Sequence, residues 1–279
     1  MDQPRQRLAP PSALVTPPHS AVEVYPRAAV LTAWVNAVCA GVVDGLAECP
    51  ALNPSDPFSA ALDSPYSAHH PAWTSARMTL GEAVATWPTR ASAQCALPVP
   101  GDVAGLPADA VAARSAGQAL VVPGPDFALV VWPSAAGDVT SVWRATTGMA
   151  VARADRDIRH ARQLVMKRLT EAVASFEASG PVRSSREQVA RRISALDAVP
   201  MPPESHPAAV TLARLSAQLL VIVDAALQPH APNTLPTHNN PTNPTNPHDS
   251  TTRALAPLGR VGRAALATAF SATHPPRSA

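Results

Sequence analysis

Two kinds of hydrophobic pattern divide this chain of 279 residues. Between about residues 95 and 146, short apolar runs alternate with turn signals such as Pro100-Gly101-Asp102, which is typical of strands in a small sheet. From about residue 152 onward, apolar residues recur with a helical period instead. Ahead of both, residues 27–46 place Val30, Leu31 and Trp34 on one face of a helix. The pattern predicts an α+β fold, in which a small antiparallel sheet with an N-terminal helix is followed by a C-terminal group of packed helices.

The individual elements follow from the same periods. The apolar runs 119–122 and 127–132 flank a Pro-Gly-Pro-Asp turn and predict a hairpin, and residues 139–145 predict a third strand. Residues 50–78 are rich in Pro, Ser and His, and we interpret them as a long irregular connection. Further along the chain, we predict helices over about 152–176, 186–196, 207–227 and 252–272.

Proline-rich and repetitive stretches suggest the domain organisation. Repeated prolines near the start indicate a disordered tail, and an Asn-Pro-Thr repeat indicates a disordered insertion before the last helix. The expected regions are a disordered tail at 1–20, an α+β region at 21–150, a helical region at 151–228, a disordered insertion at 229–250, a C-terminal helix at 251–273 and a tail at 274–279.

Charge and composition narrow the function classes. The chain is 46% hydrophobic and 15% charged, which is ample material for a core. Lys167 is the only lysine among 22 basic residues, and with abundant Ala and Pro this Arg excess looks like the coding bias of a GC-rich genome. The net charge of +2 is too small to indicate a protein of nucleic acids or membrane surfaces. Residues 21–150 are net acidic and 151–197 net basic, so these two parts could dock on each other.

The three cysteines, Cys39, Cys49 and Cys95, have no CxxC spacing. An odd number without that spacing argues against a zinc site and a disulfide framework, so we expect buried free thiols and a reducing cytoplasm. We expect no export signal in residues 1–20, which are Pro-rich and polar. The apolar stretch from 28 to 43 is too short for a membrane span, so no membrane association is predicted.

Several short motifs carry a resemblance. Residues 97–102 read Leu-Pro-Val-Pro-Gly-Asp with Gly-Leu-Pro at 105–107, residues 117–124 read Gly-Gln-Ala-Leu-Val-Val-Pro-Gly, and the last helix contains Leu-Ala-Pro-Leu-Gly-Arg at 255–260. In these motifs the chain resembles a conserved family of actinobacterial proteins of unknown function. The resemblance implies a host group and no particular activity. The insertion at 229–250 departs from the family pattern.

Motifs for metals and cofactors are weak. His69 and His70 lie near Asp63, but adjacent histidines in an extended segment point in opposite directions and seldom bind one ion. The run Gly259-Arg260-Val261-Gly262 does not match a phosphate loop, and no Gly-x-Ser-x-Gly elbow is present. The sequence therefore predicts neither a metal nor a cofactor, and it leans against an enzyme.

Five positions are singled out within the predicted fold. Asp102, Trp132 and Trp143 are candidates for a ligand site between sheet and helices, although packing in the core is the ordinary role for both tryptophans. Asp44 and Asp224 both fall in apolar helical surroundings and are expected to have Arg partners or backbone donors.

A basic helix face is the remaining candidate site. It consists of Arg156, Arg159 and Lys167 and could contact phosphates. Because Asp155 and Asp157 flank it, we expect a solvated outer face.

Three functional hypotheses remain open from the sequence. The first is a non-catalytic cytoplasmic accessory protein that binds another macromolecule, with another protein as the first candidate. The alternative is a small-ligand-binding module or an enzyme with its site between sheet and helices. The third is weak nucleic-acid contact through the basic helix, although nucleic acid is not the partner we expect.

Overall fold

The fold is described by a computed structural model over residues 25–61, 78–87, 92–99, 101–123, 127–136, 140–149, 157–179, 186–227 and 247–274. The strands are β1 (Pro57–Ala61), β2 (Met78–Thr79), β3 (Gln94–Ala96), β4 (Ala119–Pro123), β5 (Phe127–Ala136) and β6 (Thr140–Met149). The helices are α1 (Arg27–Cys39), α2 (Leu80–Ala85), α3 (Val111–Ser115), α4 (Ile158–Ser179), α5 (Arg186–Leu196), α6 (Pro207–Leu227) and α7 (Pro247–Ser271), with one 3₁₀ turn at Leu46–Glu48.

The described strands form one six-stranded sheet in the order β2-β1-β6-β5-β4-β3. The α+β class is confirmed, but the sheet is mixed, because β1 runs parallel to β6 and places Phe58 beside Trp143. Strand β1 lies in the stretch 50–78 that the sequence analysis treated as an irregular connection. That interpretation is wrong for residues 57–61, since a five-residue run that pairs with a strand more than 80 residues away has no local signature.

The two faces of the sheet have separate cores. One face packs against α1 and the C-terminal helices through Leu120, Leu129, Val131, Trp143 and Ala145. The opposite face carries Val121, Val130 and Trp132 and is covered by the segment 106–116. Alternate residues along each strand therefore enter different cores.

Helix α1 is the central helix of the larger core. Its residues from Ala28 to Ala37 are all buried. The helix ends at Cys39 and not near residue 46, because Gly41 adopts φ 68°, a left-handed conformation that ends helices. Asp44 consequently lies in an exposed loop outside the helix, so the expectation of apolar helical surroundings is wrong for this residue.

The C-terminal helices pack on one another and on the first helix. Helices α5 and α6 have the predicted bounds, 186–196 and 207–227. Helix α7 runs antiparallel to α6, and a Cβ atom on Gly262 would lie 3.2 Å from a methyl carbon of Leu220, so glycine permits this close approach. At the end of α7, Phe270 meets Tyr25 edge to face, with the ring centroids 5.3 Å apart. The last helix therefore belongs to the same core as α1.

A buried polar network also joins α7 to the sheet. The Asn36 side chain accepts a hydrogen bond from the Ala93 N–H at 2.8 Å and donates to the Ala93 carbonyl at 3.1 Å. The Asn36 amide also donates to the Ser271 carbonyl, and the Ser271 hydroxyl accepts a hydrogen bond from the Cys95 N–H at 2.8 Å. One side chain of α1 thus connects the chain beside β3 with the end of α7.

Three expected regions fall largely outside the described residues. The tail 1–20 lies outside them, as do residues 229–246 of the expected insertion and residues 275–279 of the C-terminal tail, whereas residues 247–250 form the first turn of α7. Helix α6 is long and apolar enough to cross a membrane by length and composition alone. It packs here against α5 and α7. Because a buried core helix passes the same test, this is weak evidence for a membrane span.

Candidate ligand-binding cleft

The three residues proposed as a ligand site do not come together. Trp132 lies opposite Arg144 and Trp143 lies opposite Pro133, so the two tryptophans point to different faces of the sheet. Both are buried in their respective cores. Asp102 is exposed in a turn, where its carboxylate accepts a hydrogen bond from the Ala104 N–H at 2.9 Å. The structure thus offers no shared site for these side chains.

The basic face is only partly within the described residues. Arg159 and Lys167 are exposed on α4, and Arg156 lies outside the described part of the chain. The Asp157 carboxylate accepts hydrogen bonds from the N–H groups of His160 and Arg159, which lower its pKa. A carboxylate therefore sits beside the basic side chains at the start of the helix.

A cleft of about 470 Å³ opens where the start of α1 meets α5, α6 and α7. Its walls combine arginine, one carboxylate and small apolar side chains. The lining residues are Tyr25, Pro26, Arg27, Ala116, Gly117, Gln118, Arg192, Ala217, Leu220, Val221, Asp224, Arg263 and Leu266.

Arg27 is held rigidly in the cleft wall. Its Nη2 donates to Oδ2 of Asp56 at 2.6 Å, and the guanidinium carbon lies 5.3 Å from the centre of the Trp143 ring. The indole Nε1 of Trp143 donates to the same carboxylate oxygen at 3.3 Å. The ion pair and the aromatic face together hold the position of this guanidinium.

Arg192 and Asp224 face each other across the helices α5 and α6. The Nη2 of Arg192 lies 3.5 Å from Oδ2 of Asp224, and the Asp224 side chain is about half exposed. The expected Arg partner of Asp224 is thereby confirmed. The long distance and the exposure make this a weak ion pair that a ligand can compete with.

Arg263 is the third arginine of the cleft and comes from α7. It is partly buried and, among the described residues, has neither an ion pair nor a hydrogen bond. Arg27 and Arg192 each have a carboxylate partner, so within the described residues Arg263 leaves one positive charge of the wall without a counter-ion.

The start of α1 adds a smaller positive potential. The N–H of Ala28 donates to Oε1 of Gln118 at 3.0 Å, and the Pro26 carbonyl accepts from the next two N–H groups. The N-terminal end of a helix carries a partial positive charge, and here that end lines the cleft.

Tyr25 forms part of the cleft wall and packs on Phe270. Burial raises the pKa of its phenol to about 12, with Arg214 lowering it and Asp197 raising it to smaller extents. The phenol therefore stays protonated at neutral pH.

The titratable side chains of the described cleft lining are three arginines, one carboxylate and one phenol. The described lining holds no Ser, Cys, His or Lys side chain that could act as a nucleophile or near-neutral base. Among the described residues, no group of three or more His, Cys, Asp or Glu side chains is placed to hold a metal ion. The candidates His69, His70 and Asp63 lie outside the described residues.

Sequence reasoning missed the cleft arginines. Arg27, Arg192 and Arg263 belong to three helices that are far apart in the chain. In a chain with Arg throughout, no local spacing marks these three, and only the packing of α7 on α1 and α6, and of α5 on α6, brings them to one cleft.

Residues 28–156 match the family model described as Rv1486c-like protein, N-terminal domain. The match covers less than half of the chain and names no activity. It is consistent with the resemblance to a conserved family of unknown function, and it ends before the C-terminal helices. Neither a curated protein nor a solved structure was found to match this chain.

Three of the helices that line the cleft lie outside the matched segment. Helices α5, α6 and α7 carry Arg192, Asp224 and Arg263, whereas Arg27 is the residue immediately before the match. The cleft therefore requires the helices that follow the matched domain.

Proposed function

We propose that this chain is a non-catalytic binding protein whose cleft holds a small organic anion. The observation that carries the proposal is the charge of the cleft: Arg27, Arg192 and Arg263 face it, and among the described residues only Asp56 and Asp224 form ion pairs with them. This is the ligand-binding alternative of the sequence analysis, moved from Asp102, Trp132 and Trp143 to a different place.

The size and shape of the cleft support a small ligand. A volume of about 470 Å³ falls within the range of ligand pockets, about 300–1,000 Å³. Walls of low polarizability around a positive charge strengthen its attraction for an anion relative to bulk water. A small anion would thus gain both charge compensation and apolar contact.

A thermal-shift screen of the full chain against small organic anions and their neutral analogues tests this function. Binding to the native state raises the melting temperature, so we expect anions to raise it and neutral analogues of equal size to leave it unchanged. Equal responses to charged and neutral compounds, or a flat response to every anion, would contradict the proposal.

The matched variants are Arg263→Gln and Arg260→Gln. Both remove one charge from α7, but Arg260 is exposed and lies outside the cleft. We expect the anion response to disappear in Arg263→Gln and to persist in Arg260→Gln. A general effect of net charge would change the anion response of both variants equally.

A second candidate function is docking of an acidic protein surface on α4. Arg159, Met166 and Val173 follow one another at intervals of seven residues and share one stripe of this helix. Met166 and Val173 are 47% and 49% exposed, and Lys167 adds charge beside them. Apolar side chains among basic ones complement an acidic partner with an apolar centre.

Quantitative binding tests this second function. An acidic protein recovered with the wild type should bind a Met166→Ser/Val173→Ser variant more weakly, and its affinity should fall with salt. Ile222→Ser on α6, also about half exposed, is the control. Equal binding by both variants would exclude this stripe as the docking site. If the wild type instead shifts nucleic acid in a gel and Arg159→Ala/Lys167→Ala does not, phosphate contact is favoured.

A cytoplasmic location is part of the proposal. Cys39, Cys49 and Cys95 carry no disulfide in the described part of the chain, and the last two are buried. Free thiols are typical of reducing compartments. Fractionation of the producing cells tests the location directly.

A further inference from the structure

The charges of the cleft constrain the number of charges on the ligand as well as their sign. Arg27 and Arg192 each face a carboxylate of the protein, Asp56 and Asp224, whereas Arg263 has no counter-ion among the described residues. One negative charge on the ligand therefore balances the cleft. A dianion would carry an excess charge into a wall that already contains Asp224.

The free guanidinium also constrains the geometry of the anionic group. A guanidinium presents parallel N–H donors in one plane, which match the two oxygens of a carboxylate. Arg27 has already committed Nη2 to Asp56, and its plane is held against Trp143. Within the described part of the chain, Arg263 is the cleft arginine whose donors have no partner.

The remaining walls call for an apolar body. Ala217, Leu220 and Val221 of α6, together with Leu266 of α7, line the cleft beside the arginines. From Ala217 to Asp224 the cleft side of α6 rises about 10 Å, which is enough for one ring or a short chain. Apolar groups placed here leave water and contact these side chains.

We infer that the ligand is a monocarboxylate with an apolar body of one ring or a short chain, whose carboxylate is the counter-ion of Arg263. This inference rests on the proposed function and names the ligand class of the same cleft. It excludes phosphate monoesters and dicarboxylates as the preferred ligands.

Calorimetric titration of the full chain with probes that share one ring tests the inference. The probes are benzoate, phenyl phosphate, phthalate and benzyl alcohol, with acetate as the carboxylate that lacks an apolar body. We expect benzoate to bind at least about tenfold more tightly than each of the others, because each lacks one of the complementary features or adds an uncompensated charge.

The variants separate the ligand class from a general effect. In Arg263→Gln, benzoate affinity should fall at least about tenfold, whereas Arg260→Gln should bind like the wild type. A urea unfolding midpoint equal to that of the wild type shows that Arg263→Gln is folded. If Arg263→Gln is unfolded, Arg263→Lys replaces it, and this variant should keep the charge but lose most of the preference for benzoate over phenyl phosphate.

The outcomes distinguish the inference from the proposed function. Tighter binding of phenyl phosphate or phthalate than of benzoate would overturn the monocarboxylate inference and leave the anion-binding function standing. Binding of benzyl alcohol as tight as that of benzoate, or binding of none of the anions, would overturn both. Equal affinities for acetate and benzoate would overturn the inference that the ligand has an apolar body.

Discussion

Nη2 of Arg27 donates a 2.6 Å hydrogen bond to Oδ2 of Asp56, and this ion pair connects the first turn of α1 to the residue that precedes β1. The side chains are only 22% and 9% exposed. The same guanidinium lies over the Trp143 ring of β6. One arginine thus ties α1 to the parallel pair β1–β6 and also forms part of the cleft wall.

We predict that Asp56→Asn lowers the free energy of unfolding by about 3 kcal/mol, because it leaves a largely buried guanidinium without its counter-ion. The matched control is Asp197→Asn. Asp197 pairs with Arg214 at 2.8 Å, but both side chains are more than half exposed, so its loss should cost less than about 1 kcal/mol. Urea denaturation measures both, and equal losses would show that the Arg27 pair is no stronger than a surface pair.

Two glycines should respond to alanine with opposite signs. A Cβ on Gly148 would lie 2.7 Å from Cβ of Pro107 and 2.9 Å from the Asp109 carboxylate, whereas one on Gly259 would meet only Val223 at 3.5 Å. Gly148→Ala should therefore destabilise the fold by about 1–3 kcal/mol through overpacking. Gly259→Ala should stabilise helix α7 by about 0.5–1 kcal/mol. Thermal unfolding of both variants measures the sign of each change in stability. An unchanged stability in Gly148→Ala would mean that the chain at Pro107 moves to make room for the added methyl group.

The parts of the fold that follow from local pattern could be predicted from the sequence. Helix α6 has a continuous apolar period from residue 207 to 227, and the strands β4 and β5 flank a Pro-Gly turn signal. Each of these signals lies within one segment of the chain. The structure places these elements close to their predicted positions for that reason.

Pairings between distant segments could not be predicted in this way. Trp132 and Trp143 were expected on neighbouring strands, and they lie there, but the register pairs Trp132 with Arg144. A shift of one residue reverses the face of every side chain, so the expectation of neighbouring strands did not by itself place the two rings on a common face. The cleft depends on such distant packing throughout, since Arg27 and Arg263 are near opposite ends of the chain.

Phe270 at the end of α7 should be essential for the core shared with α1. Its side chain is 1% exposed and meets Tyr25 edge to face. We expect Phe270→Ala to lower the free energy of unfolding by about 3–5 kcal/mol. Ile222→Ala removes a large side chain that is half exposed and should cost much less. If chemical denaturation shows similar small losses for both, α7 does not complete the core of the matched domain.

The pKa values of the cysteine thiols and of the Tyr25 phenol are all raised. Burial raises the pKa of Cys39 and of Cys49 from 9.0 to about 11, and it raises the pKa of Cys95 further. Burial also raises the pKa of Tyr25 from 10.0 to about 12. With Lys167 as the only lysine, few other side chains titrate in this range.

We therefore predict that the chain loses stability as pH rises from about 9 to about 12. In the folded state these pKa values lie above their unfolded values, so the folded state holds protons that the unfolded state releases. The contribution is fully present below the unfolded pKa values and is lost as pH rises through the folded ones. Urea midpoints measured across this range should fall as pH rises. In Tyr25→Phe the fall above pH 10 should be smaller, because the titrating phenol is removed while the ring still packs on Phe270. A midpoint that stays constant from pH 8 to 11 would contradict the burial of the thiols.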